Sequence, residues 1–334
     1  AQQKGLTAYL NKVYENEELE IILTGAGTSA FIGEALVGTF LRNTRKCVKA
    51  VSTTDMVSHP LDCLSPEKPT LLISFARSGN SPESIASVNL ANEICSKIYH
   101  LIITCNPDGE LACSEKGNDN YILLLPPESN DKSLAMTGSF TSMLLTGLLI
   151  ARIRDMKENE RQLDIAIQMG NKVLNDYAQK LRIYADLGFQ RAVFLGSGPL
   201  KAVARESQLK LQELTNGNII SKYDYYLGFR HGPKVVINKD TLIVFLLTND
   251  PEVFPYEADL IKSINKTNKG KMTIGITSKA SFSKELGFDF NVDLMSDAID
   301  EEFLALSYVM PAQILGFYAS IHHRLKPDNP STDG

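Results

Sequence analysis

The sequence predicts an α/β protein made of two doubly wound parallel-sheet domains in tandem, and three observations carry this reading. Short β-branched runs end in Gly, Ser or Thr and lead into helical patterns, the signature of a parallel sheet with crossover helices. The order of these runs then repeats: Gly25-Ala26-Gly27 and Gly196-Ser197-Gly198 stand 171 residues apart, and Thr104 and Thr277 stand 173 apart. At 334 residues the chain also has the length for two domains.

Taken in order, the run at 21–23 enters the first glycine turn as 192–195 enters the second. Residues 71–74 answer to 242–247, and 101–104 to 273–277. The run at 121–125 precedes an apolar helix expected over about 134–153, as 290–294 precedes one over about 301–321. Between the halves, the charged, β-poor stretch 152–168 reads as a connecting helix with a solvated face. The boundary therefore falls near residue 165. Domain one is 1–165, with an N-terminal helix and the connecting helix; domain two is 166–334, closing on a turn-rich, extended tail over 326–334.

Composition excludes several classes. Apolar residues at 43% and charged residues at 22% describe an ordinary globular chain. The longest apolar run, 143–150, is too short to cross a bilayer, and the N-terminus lacks a basic stretch followed by an apolar one. No membrane anchor or export signal is read, and a cytoplasmic location is expected. The five cysteines are odd in number and contain no C-x-x-C pair, which argues against a disulfide framework and a zinc site and fits a reducing compartment. A formal charge of −5 gives no electrostatic reason to expect a nucleic-acid partner. His322 and His323 are consecutive on a helix, so they point apart, and no metal site is expected there.

Two loops suit an anion. After the run ending at Ser74 come Ser78, Asn80, Ser81 and Ser84, crowded around a helix start marked by Pro82. Ser81 reads as an N-cap. The same donors, at the carboxyl end of a parallel strand and on a helix N-terminus, also make a phosphate site. The first turn, Gly25-Ala26-Gly27-Thr28-Ser29-Ala30, matches a dinucleotide fingerprint, but the next run ends in Ser52-Thr53-Thr54, with no acidic residue placed to hold a ribose. Thr28 and Ser29 suit a sugar or phosphate better, and the two glycines read as turn residues.

The helix after Gly198 carries two polar faces. Lys201, Arg205, Gln208 and Gln212 make a solvent face, while Glu206, Lys210 and Glu213 cluster nearly opposite, flanked by Val203, Leu209 and Leu214. Charges among apolar neighbours must be paired or used. An i, i+4 ion pair accounts for Glu206 and Lys210. Glu213, one turn on, is the candidate for proton transfer, since a carboxylate in a partly apolar site can hold its proton towards neutral pH. Further along, His231 lies in a Gly/Pro-bracketed loop, Tyr226 to Lys234, with no strand or helix pattern, where a lone histidine is placed for function rather than packing.

Together these residues resemble sugar isomerase (SIS) domains, as in the isomerase half of glucosamine-6-phosphate synthase, over nearly the whole chain. The strings ILTGAGTSAFIGEAL, LLISFARSGNSPES, ARESQLKLQELT and GFRHGPK resemble more narrowly the galactosamine-6-phosphate deaminase/isomerase family, also called tagatose-6-phosphate ketose/aldose isomerase. The resemblance implies that Thr28, Ser29, Ser78 and Ser81, with Arg77 and Asn80 in the same loop, hold the sugar and its phosphate. It implies that Thr137, in AMTGS, lines the substrate. Glu206, Lys210 and Glu213 match the active-site helix, Glu213 as the C1/C2 proton shuttle, and His231 matches a ring-opening histidine supplied by the neighbouring subunit of a homodimer. No cofactor or metal is implied. Ala76 stands where the synthase has a phosphate-binding Ser, and Gly138 where it has a Lys. The glutamine-hydrolysing domain is absent, which favours ammonia release over synthesis. Family members usually continue beyond PSTDG. The expected activity is conversion of galactosamine 6-phosphate to tagatose 6-phosphate and ammonia, with simple aldose/ketose isomerisation as the alternative and a sugar-phosphate-binding regulator as the rival class. A regulator commonly carries a helix-turn-helix, and no basic segment precedes Leu19 to form one.

Overall fold

A computed structural model describes residues 2–113 and 119–331, so the last three residues of the expected tail lie outside the described residues. The chain forms two compact units: residues 1–131 with 136–156 (unit 1), and 132–135 with 157–334 (unit 2).

Unit 1 holds β1 (Glu20–Gly25), β2 (Cys47–Ser52), β3 (Thr70–Ala76), β4 (Ile98–Thr104) and β5 (Asn120–Leu124), all parallel, in the order β2-β1-β3-β4-β5. β1 and β3 are buried at every position because helices cover both faces of the sheet, which is why these strands read as continuous apolar runs. One face packs Ile22, Leu72 and Ile102 against Met56, Val88 and Ala91. Each of the larger side chains in this layer contributes about 1.5–3 kcal/mol through burial.

Unit 2 holds β6 (Arg191–Leu195), β7 (Ile220–Asp224), β8 (Thr241–Leu246), β9 (Met272–Thr277) and β10 (Phe290–Asp293) in the order β10-β9-β8-β6-β7, the same topology read from the other edge. Its core layer includes Val193, Leu195, Ile243, Phe245, Leu260 and Ile264. The predicted doubly wound sheet is therefore present twice.

In both units the strand order reverses once, between β1 and β3 and between β6 and β8, and such a switch point opens a crevice beyond the carboxyl ends of the strands. The glycine turns sit there. A Cβ on Gly25 would lie 2.6 Å from the Ser29 backbone, and one on Gly196 2.3 Å from Leu200 O, so only glycine lets each strand turn directly into its helix. Gly27 (φ 54°, ψ −126°) and Gly198 (φ 53°, ψ −131°) repeat one left-handed conformation.

Three expected elements differ in detail. The helix placed over 134–153 runs Gly138–Ala151, because Asp131 caps its first turn as described below. The connecting helix placed over 152–168 runs Met156–Lys172, after a turn at 152–155. The last helix is two pieces, Glu301–Tyr308 and Met310–His322, interrupted where Pro311 can donate no backbone hydrogen bond. Taken together, 301–322 is long and apolar enough to cross a membrane by length and composition, but 67% of its apolar window is buried within the fold, as in a core helix.

Candidate active site

In unit 1 the crevice is built from the two adjacent strands β1 and β3. Thr28 and Ser29 open the helix Thr28–Thr44 and are buried, each 5% exposed. Arg77 to Ser81 form the turn between β3 and the helix Pro82–Ile94, with Gly79 at φ 68°. Three successive carbonyls of this turn accept hydrogen bonds from the exit of β4: Arg77 O from the Thr104 hydroxyl (3.4 Å), Ser78 O from Asn106 Nδ2 (2.9 Å) and Gly79 O from Leu111 N (3.1 Å). The loop has the form of a helix-start anion site, in which Asn80 N donates to Ser78 Oγ (3.3 Å).

Two side chains act differently from their expected parts. Ser81 occupies the N-cap position in an extended conformation, but its hydroxyl donates to Ser84 Oγ at 2.6 Å and accepts no backbone N–H. Asn80 turns its Oδ1 to Glu110 N (2.8 Å), fastening the loop to its neighbour. Asn106, which was not among the expected site residues, holds the loop from below; its Asx turn to Asp108 N (3.1 Å) in Asn-Pro-Asp-Gly is a sequence signal that identifies it.

Thr137 lies at the start of the helix Gly138–Ala151, where Asp131 gathers five hydrogen bonds: Thr137 N (2.9 Å) and Oγ1 (3.1 Å), Gly138 N (3.0 Å), Ser139 N (2.8 Å) and Oγ (2.6 Å). Burial alone would raise the Asp131 carboxyl, but the Ser139 hydroxyl and the N–H groups of Ser139, Thr137 and Gly138 outweigh it and hold the group below the usual carboxylate range. The Thr137 hydroxyl hydrogen is thereby committed, leaving its oxygen as an acceptor. Asp131 was not legible as a site residue, since an acid six residues before its helix has no local pattern.

In unit 2, Glu206, Lys210 and Glu213 share one face of the helix Pro199–Leu214 as the 100° spacing requires. Lys210 Nζ lies 3.5 Å from Glu206 Oε1 and 2.5 Å from Glu213 Oε2. The side chains of Glu206 and Lys210 are 0% and 1% exposed, while that of Glu213 is 31% exposed, so the run is buried at one end and open at the other. Its cover is the helix Met310–His322, which approaches so closely that a Cβ on Gly316 would meet Leu214 Cδ1 at 2.8 Å and Lys210 O at 3.4 Å. On the opposite face Lys201 and Arg205 lie over the rings of Tyr225 and Tyr223, 5.4 Å from each centroid.

His231 is exposed, in a turn between the short helix Tyr226–Phe229 and a 3₁₀ turn at Pro233–Val236, so the expected loop has more regular structure than its sequence suggested. Tyr226 and Phe229, 1% and 0% exposed, anchor it, and the Tyr226 hydroxyl donates to Leu246 O (3.2 Å). Among the described residues no hydrogen bond or ion pair joins His231 to the Glu206–Lys210–Glu213 run; its N–H donates to Gly228 O (3.0 Å). Around it Tyr225, Leu227 and Val235 are exposed, Val235 at 87%.

Two tandem doubly wound units, one with a serine-rich loop at a helix start and the other with an acid–amine–acid run buried at one end, define a class, and the SIS domain model matches residues 15–152 and 189–323: the chain belongs to the SIS domain family. Within it, the chain is 39% identical over 339 residues to D-galactosamine-6-phosphate deaminase AgaS of Shewanella sp. (strain ANA-3), covering 100% of this chain and 83% of that protein. It is also 39% identical over 336 residues to D-galactosamine-6-phosphate deaminase AgaS of Escherichia coli, covering 100% and 87%. The crystal structure of tagatose-6-phosphate ketose/aldose isomerase from Escherichia coli is 35% identical, with a TM-score of 0.92, over 98% of this chain and 89% of that one.

Proposed function

We propose that the chain is an amino-sugar phosphate deaminase/isomerase that converts galactosamine 6-phosphate to tagatose 6-phosphate and ammonia without a cofactor. One observation carries this reading: a carboxylate, Glu213, open to solvent at the end of an otherwise buried ion-paired run, in a chain 39% identical along its whole length to a deaminase of that substrate. Ring opening exposes C1 as an aldehyde, the task of His231. Glu213 takes the C2 proton to give an enolamine and returns a proton to C1, leaving an imine at C2. Water adds to C2, ammonia leaves, and the ketose phosphate remains. Lys210, held by Glu206, offsets the charge that develops on the oxygen at C1. In unit 1, Thr28, Ser29, Arg77, Ser78, Asn80 and Ser81 serve the sugar and its phosphate, and Thr137 lines the substrate with an oxygen able only to accept.

A second reading, aldose/ketose isomerisation alone, is favoured by the isomerase description of the Escherichia coli structure. Purified protein incubated with galactosamine 6-phosphate, with ammonia and ketose phosphate assayed together, separates the two. Equimolar release of both is expected; no ammonia alongside interconversion of neutral sugar phosphates would make the isomerase reading the right one.

The phosphate loop is expected to set affinity. Losing one charge-assisted hydrogen bond is worth about 1.5–3 kcal/mol, so Ser81→Ala, which removes a hydroxyl that turns from Ser84 Oγ to the phosphate on binding, weakens substrate binding roughly tenfold or more, and the dephosphorylated sugar hardly binds. Calorimetric titration checks both; unchanged affinity in the variant would count against the assignment.

The protein works in this reading as a cytoplasmic homodimer in which His231 serves the neighbouring subunit. The exposed apolar side chains beside it, Tyr225, Leu227 and Val235, support such a contact. Mixing inactive Glu213→Gln and His231→Asn proteins should restore part of the activity, because a mixed dimer contains one site with both native residues. Confirmed subunit exchange with no recovery would remove the shared-site model.

A further inference from the structure

The crevice of unit 2 repeats that of unit 1 in its backbone. Besides the matching conformations of Gly27 and Gly198, Thr104 and Thr277 do the same work at the ends of β4 and β9. Each hydroxyl accepts from the N–H two residues on, Asn106 N at 3.3 Å and Lys279 N at 3.0 Å. Each carbonyl accepts from the residue that follows the edge strand, Leu125 N at 2.9 Å and Leu294 N at 2.8 Å. The helices that follow β3 and β8 also correspond. Aligned on Pro82 and Pro255, four buried positions coincide: Ser84, Ser87, Val88 and Ala91 in Pro82–Ile94 answer to Glu257, Leu260, Ile261 and Ile264 in Phe254–Thr267, where Ala258 is buried as well.

What differs is the content of the crevice. Where unit 1 has Ser84, unit 2 has Glu257, 0% exposed. Its Oε2 accepts from Thr248 N at 3.0 Å, while its buried Oε1 accepts no hydrogen bond. The Thr248 hydroxyl donates to Glu301 Oε1, and Glu301 Oε2 lies 3.7 Å from where a Cβ on Gly198 would stand. The lysine of the β9 exit is turned elsewhere, Lys279 Nζ donating to Asn249 O at 2.7 Å. Side-chain carboxyls therefore hold both donors of Thr248 in the loop after β8 and reach the glycine turn after β6.

We propose that Glu257 and Glu301 are the built-in occupants of the unit 2 crevice, taking the donors that a phosphate would take, so that this unit admits no phosphate and the chain has one phosphate crevice, in unit 1. A phosphate there would have to displace Glu257 from Thr248 N and come up against the Glu301 carboxyl. Burial pushes the Glu257 carboxyl up to about 8, against the lowering by Thr248 N and with the neighbouring Glu301 adding to the rise, so Glu257 stands in the crevice largely protonated at neutral pH. The inference is independent of which sugar phosphate unit 1 receives.

Inorganic phosphate is the probe, and a Ser78→Ala/Ser81→Ala background quiets unit 1. Adding Glu257→Ser together with Glu301→Ala, which removes both occupants and installs the serine of the unit 1 position, should create one phosphate site per chain by equilibrium dialysis. Phosphate at tenfold its Kd should then raise Tm by about 3–6 °C. Glu257→Gln, which keeps the volume, should create none. A folded Glu257→Ser/Glu301→Ala protein that gains no phosphate overturns the proposal. Should that variant not fold, Thr248→Val in the background with Glu257 intact decides: phosphate binding is expected to be unchanged, and a bound phosphate lost on this substitution overturns it.

Discussion

Glu213→Gln is expected to lower the turnover of galactosamine 6-phosphate by roughly 10²–10⁴ while leaving the fold and phosphate affinity in place. The amide keeps the length of the side chain and retains an oxygen to accept from Lys210 Nζ, which lies 2.5 Å from Glu213 Oε2. What it loses is the ability to take and return a proton. The buried Lys210 ammonium keeps Glu206 Oε1 at 3.5 Å as its counter-charge, so the neutral variant strands no buried charge. Steady-state kinetics beside a thermal melt separates the two roles available to this residue. A fall in kcat with Tm held is the catalytic outcome; a fall in Tm with kcat preserved in the folded fraction would make Glu213 a structural member of the ion-pair run.

Lys210→Met should act in the opposite order, on stability first. Removing the ammonium leaves Glu206, 0% exposed, as a buried carboxylate without its cation, a change worth about 3–5 kcal/mol. For a unit of this size that corresponds to a Tm lower by about 6–20 °C. Glu206→Gln added to Lys210→Met neutralises both partners and should recover most of the loss, whether or not activity returns. Urea denaturation of the single and double variants measures the coupling. A double variant no more stable than the single one would mean that the pairing of Glu206 with Lys210 is not what lets the charges be buried.

The helix itself explains why these residues could be found from their spacing alone. A 100° step puts Glu206, Lys210 and Glu213 on one side whatever surrounds them, and the apolar neighbours Val203 and Leu214 mark that side as inward. The spacing could not say which acid would be sealed and which open. That was decided by the helix Met310–His322, about a hundred residues on, whose Gly316 closes over Lys210 O and Leu214.

The same division runs through the crevices. Gly25 and Gly27 were legible as turn residues because their need is local, a backbone contact with Ser29 and a left-handed φ. Ser78 and Ser81 were legible because a helix start beyond a parallel strand favours anions through its own unpaired N–H groups. Asn106, Asp131, Glu257 and Glu301 were not. Asn106 acts on Ser78 28 residues away, and Glu301 on Thr248 53 residues away, distances set by strand order rather than by pattern. By itself, then, the sequence determined the doubled α/β fold, the loops at its switch points and the face of the charged helix, since periodicity, glycine geometry and helix spacing act within a few residues. Only the tertiary structure decided which carboxyls are buried, which donors they take and which crevice is left open, because desolvation and hydrogen bonding depend on neighbours that folding alone brings together.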